Sequence, residues 1–74
     1  HISRTNYVEF IIKKDKIDVF YERYIAYPDG LFLDKKYDTD DKNIINFISD
    51  DLPIIQDVCS GKDLNISDII IKRV

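Results

Sequence analysis

The sequence predicts an α+β fold: an antiparallel sheet of three to four strands, a β-meander, with two short helices on one face, in the order β-β-β-α-α-β. Three observations lead there. Residues 7–37 alternate apolar and polar positions and are rich in aromatic and β-branched types, the pattern of strands. Pro28-Asp29-Gly30 breaks that run with three residues suited to a tight reversal. From Asp38 onward the apolar spacing changes to that of a helix, and Ile69-Ile70-Ile71 returns to a strand pattern.

Taken in order, residues 1–6 are polar and are expected to be frayed or tag-derived. The chain holds no methionine, so the expectation is a processed protein or a domain of a longer one. All 74 residues form one small domain, because this length supplies a single modest core. Tyr7 to Lys14 is the first strand, with Val8, Phe10 and Ile12 on one side. Lys13-Lys14-Asp15-Lys16 is a polar break. Ile17 to Tyr27 is the second strand and Leu31 to Tyr37 the third.

A three-residue Pro-Asp-Gly loop, a type I turn closed by a glycine bulge, fixes a register. Tyr27 then faces Leu31, Ile25 faces Leu33 and Tyr21 faces Tyr37. On the opposite face Ala26 meets Phe32, Tyr24 meets Asp34 and Glu22 meets Lys36. Val8, Phe10, Ile12, Val19 and Tyr21 form the core face. Arg23 and Lys35 also fall on it, and are expected at a sheet margin with their charges turned outward.

In the second half, Asp38 or Thr39 is placed to cap a helix whose stripe is Ile44, Ile45, Phe47, Ile48 and Leu52. Pro53 stops that helix. Asp50 or Asp51 is placed to cap a second one, with Ile54, Ile55, Val58 and Cys59 inward and Gly61 at its end. Residues 63–68 read as a loop, and Ile69-Ile70-Ile71 as a short last strand buried on both sides.

Chemistry is sparsely signalled. The only histidine is His1, the only cysteine Cys59 and the only glycines Gly30 and Gly61. No internal triad and no phosphate loop can be assembled from these. An EF-hand loop beginning at Asp38 requires glycine and glutamate where Asn43 and Ser49 stand, so the acids there read as caps. The expectation is no enzyme, no catalytic residue, no metal and no cofactor. One cysteine fits a reducing compartment, with the cytoplasm as the default. No apolar run approaches the length that spans a bilayer.

The second sheet face is the more telling one. Tyr7, Ile11, Phe20, Tyr24 and Phe32 interleave there with Glu9, Glu22, Asp34 and Lys36, whereas a solvated face is normally polar throughout. Tyr7, Phe20, Tyr24, Phe32, Glu22 and Asp34 are therefore the candidate partner-binding residues. Residues 1–37 hold seven basic against six acidic side chains, and residues 38–74 four against eight, which sum to the net charge of −3. That balance disfavours nucleic acid, although Arg23, Lys13, Lys35 and Lys36 offer an alternative cationic surface. The functional expectation is a protein-interaction module, a small acidic inhibitor or an accessory domain, with a protein partner or a second copy of itself.

Overall fold

The computed structural model describes residues 3–62 and 69–74. Its elements are β1 (Ser3–Ile12), β2 (Ile17–Tyr27), β3 (Gly30–Thr39), α1 (Lys42–Asp51), α2 (Ile54–Cys59) and β4 (Ile69–Arg73). The order is the expected β-β-β-α-α-β. The three-stranded meander is antiparallel, and β4 joins it parallel to β1, so the sheet order is β3-β2-β1-β4. The expected loop at 63–68 lies outside the described residues, as does His1.

The β1–β2 pairing sets Val8 opposite Tyr21 and Phe10 opposite Val19, as the alternation requires. β1 starts earlier than expected. Residues 3–6 are not frayed but extend the ladder as far as Ser3 opposite Ala26, because β2 is long enough to pair with them. Ile69 and Ile71 line up with Val8 and Phe10 in the parallel pairing and bring two more apolar side chains to the same face.

Both helices pack on that face. Val8, Phe10, Val19 and Tyr21 from the sheet close against Ile45 and Ile48 of α1 and Ile55 and Val58 of α2. Each large side chain fully buried in this way contributes about 1.5–3 kcal/mol of transfer free energy. The phenol of Tyr21 is not left unsatisfied: it donates to Asn6 Oδ1 at 3.2 Å. Gly61, at φ +85°, ends α2 with the N–H of Lys62 bonded to the carbonyl of Asp57, and its own N–H to that of Val58. This is the Schellman closure that a glycine after a helix permits.

The caps differ from expectation. Asp41, not Asp38 or Thr39, caps α1, its Oδ1 accepting from the Asn43 N–H at 2.8 Å. Thr39 supports the cap instead, taking the Asp41 N–H at 3.0 Å. Neither Asp50 nor Asp51 caps α2, whose N-cap position is Pro53 and which has no side-chain cap. Within α1 the stripe is also narrower than expected. Ile45 and Ile48 are buried, but Phe47 is 54% exposed and lies edge-on to Tyr37.

The β2–β3 hairpin carries the main correction. Its loop has two residues, Pro28 and Asp29, closed by Tyr27 opposite Gly30, not three. The extra residue appears further along as a bulge at Asp34, between the Tyr24–Leu33 and Arg23–Lys35 pairs. The cause lies in the turn. Proline fixes a negative φ and Asp29 has no positive one, so the loop cannot be of the primed type that matches strand twist. A bulge adds local twist and absorbs the mismatch. Below it Tyr21 still faces Tyr37 and Glu22 still faces Lys36, while above it every β3 side chain changes face.

Arg23 and Lys35 are corrected by the same event. The bulge turns Asp34 toward the helices, where it meets Arg23, whose Nε lies 2.6 Å from Asp34 Oδ2. Arg23 Nη1 and Lys35 Nζ also reach Asp51 Oδ2, at 3.3 and 2.9 Å. The Arg23 side chain is only 11% exposed, so these charges are paired against α1 rather than turned out to water. No helix among the described residues is long and apolar enough to cross a membrane.

Candidate interaction surface

The face of the sheet opposite the helices is built by the even positions of β2 and the odd positions of β1. Tyr7 pairs with Glu22, Glu9 with Phe20 and Thr5 with Tyr24, so Tyr7, Phe20, Glu22 and Tyr24 are brought together as expected. Tyr7 and Phe20 meet edge to face at 5.9 Å, and Lys36 Nζ lies 5.6 Å from the centre of the Phe20 ring. Such contacts stiffen an aromatic patch without hiding it.

Phe32 and Asp34 do not belong to this group. Phe32 pairs with Ile25 on the helix side and stacks edge-on with Tyr27 at 5.5 Å, and Asp34 is bound to Arg23. Leu31 and Leu33 take the places expected for Phe32, beside Ala26 and Tyr24. Sequence reasoning also missed Ile70 and Lys72, which extend the face across β4. Lys72 anchors there through a 2.8 Å ion pair with Glu9. Alternation within Ile69–Arg73 separates their sides, but it does not name the strand they pair with. Ile70 is exposed, so β4 extends the sheet without covering it, and the expectation of a strand buried on both sides fails.

Both tyrosines of the face are hydrogen-bonded to carboxylates within it. Tyr24 donates to Glu22 Oε2 at 3.0 Å and Tyr7 to Glu9 Oε2 at 3.2 Å. The bond to Glu22, followed by burial, raises the Tyr24 pKa. Burial, followed by the bond to Glu9, raises that of Tyr7. Both phenols are therefore neutral donors at pH 7. The hydrogen bond from Lys72 holds the Glu9 carboxyl below its ordinary value.

A second uncovered region adjoins this face at the hairpin end, where Leu31, Phe32 and Leu33 are 63%, 48% and 52% exposed. Length explains it. Eleven residues of β2 span about 37 Å, whereas the ten of α1 span about 15 Å, so the helices shelter only part of the sheet.

The four cations offered for nucleic acid do not converge. Arg23 and Lys35 point to the helices in ion pairs with Asp34 and Asp51, Lys13 is paired with Asp18 at 2.7 Å, and Lys36 stands on the opposite face. Among the described residues no three His, Cys, Asp or Glu side chains are placed to hold a metal ion. Cys59 is half-buried beside the core, and burial pushes its thiol up. Comparison with protein-family models, with curated proteins and with solved structures finds no match for this chain.

Proposed function

We propose that the chain is a non-enzymatic protein-interaction module, an acidic inhibitor or accessory domain that engages a protein partner through the sheet face opposite its helices. One observation carries this reading. Tyr7, Phe20 and Tyr24 share that face with Leu31 and Leu33, and no described element packs over them. An aromatic cluster within a charged rim of Glu9, Glu22, Lys36 and Lys72 is the composition that protein interfaces favour. The division of cations between two faces, most of them committed to carboxylates, weighs against a nucleic-acid surface. The lone cysteine supports a reducing, cytoplasmic setting.

The experiment is affinity capture from extract with tagged wild type, Tyr24→Ala and Glu22→Lys, each first shown to keep the wild-type circular dichroism spectrum. The expected result is a protein retained by wild type and lost by both variants. Equal capture by all three overturns the reading.

A further inference from the structure

We propose that the outer edge of β3, at Leu31 to Leu33, pairs antiparallel with the same edge of a second copy. The result is a two-fold symmetric dimer with one continuous eight-stranded sheet. The inference rests on reading the chain as an interaction module, but it uses backbone groups at the sheet edge rather than the aromatic face.

β3 is an edge strand, with β2 on one side and no described strand on the other. In an antiparallel ladder the residues whose N–H and C=O face the neighbour alternate with residues whose groups point away. Counted from the closing pair Tyr27–Gly30, Phe32 bonds toward β2, and Leu31 and Leu33 aim their backbone groups outward. An exposed edge is usually blunted by charges or bulges. The lower half of β3 has both, the bulge at Asp34 and the side chains of Lys35 and Lys36. The upper half has neither, and its three side chains are about half exposed or more.

The edge is complementary to itself. Antiparallel pairing centred on Phe32 sets Leu31 opposite Leu33 of the second copy, and Leu33 opposite its Leu31. Both pairs are of the hydrogen-bonded kind that the outward groups require. The two Phe32 residues then form the close, non-bonded pair at the symmetry axis, each already packed on its own Tyr27. The bulge at Asp34 ends this register on either side, so the paired segment is the short apolar run from Leu31 to Leu33 of each copy. Growth stops there. The outermost strand of the dimer on either side is β4, five residues long and ending in Lys72 and Arg73.

So small an interface predicts a weak dimer, with a Kd on the order of 10–100 µM. Sedimentation equilibrium from about 5 µM to about 1 mM is the test, spanning that range on both sides. Wild type is expected to pass from monomer to dimer mass. Leu33→Lys and Leu31→Lys, exposed changes that leave the core intact, are expected to stay monomeric while keeping the wild-type spectrum. The Leu31 and Leu33 amide protons are expected to exchange more slowly as concentration rises. Wild type that stays monomeric throughout overturns the dimer but leaves the capture experiment on Tyr24 and Glu22 standing. A dimer abolished by Tyr24→Ala and untouched by Leu33→Lys overturns the edge pairing and moves self-association to the aromatic face.

Discussion

Arg23 Nη1 lies 3.3 Å from Asp51 Oδ2, so a guanidinium in the middle of the sheet is tied to the last turn of α1. Asp34 and Lys35 complete the cluster, which fastens the hairpin to the helical layer at the point where the bulge interrupts the ladder. The hydrogen bond from Lys35, and then the charges of Lys35, Arg23 and Arg4, hold the Asp51 carboxyl below its ordinary value.

Acid unfolding follows from this sign. A carboxyl whose pKa is depressed on folding adds stability above its unfolded value, and that stability is lost as pH falls through the folded one. Asp51→Asn is therefore expected to melt below wild type at pH 7. The two melting temperatures are expected to converge as the pH drops below about 4, the ordinary aspartate value. Melts followed by circular dichroism between those conditions check it. A gap that stays constant across the series contradicts the linkage.

The two aromatic and aliphatic positions of α1 separate cleanly. Ile48 is fully buried against the sheet, and Ile48→Ala is expected to lose about 3 kcal/mol. Phe47 rests on Tyr37 at the surface, so Phe47→Ala is expected to lose under about 1 kcal/mol. Urea denaturation of the two variants ranks them, and equal losses contradict the placement of the stripe.

Gly30 tests backbone strain without steric interference. Its φ is +142°, and a Cβ built there meets no atom within 4 Å. Gly30→Ala is expected to lose about 1–2 kcal/mol through conformation alone. A variant as stable as wild type in the same urea series shows that the loop relaxes to another turn.

Cys59 should react slowly. Burial raises its thiol pKa, leaving less thiolate at pH 7.5 than an unburied cysteine carries. Iodoacetamide labelling followed by mass spectrometry is expected to lag behind a free-thiol control, and to match it once urea unfolds the protein. Labelling at the control rate in the folded state removes the argument.

Periodicity made most of the architecture legible. Period-two runs located three strands, the helical stripe located α1 and α2, and alternation put Val8, Phe10, Val19 and Tyr21 on the buried side. It likewise grouped Tyr7, Phe20, Glu22 and Tyr24, because their faces depend only on the short β1–β2 connection. Phe32 and Asp34 were misplaced because Pro-Asp-Gly fits either a three-residue loop or a two-residue loop with a later bulge. Nothing in Asp34 itself marks a bulge. The pairing of Arg23 with Asp51 was illegible for another reason. It joins a strand to a helix far along the chain, and local pattern says nothing of such distances.

Among the described residues β4 makes the one parallel pairing of the sheet, and that pairing is also its most remote, since Val8 meets Ile69 near the other end of the chain. The meander closes through two short turns and needs little loop entropy to form, whereas β4 must reach β1 across most of the chain and costs more to close. It is therefore expected to act as a latch, last to close on folding and first to lift. Amide protons of Ile69–Arg73 are expected to exchange well ahead of those of β2, and a chain cut before Ile69 bares the flank of β1 that the latch conceals.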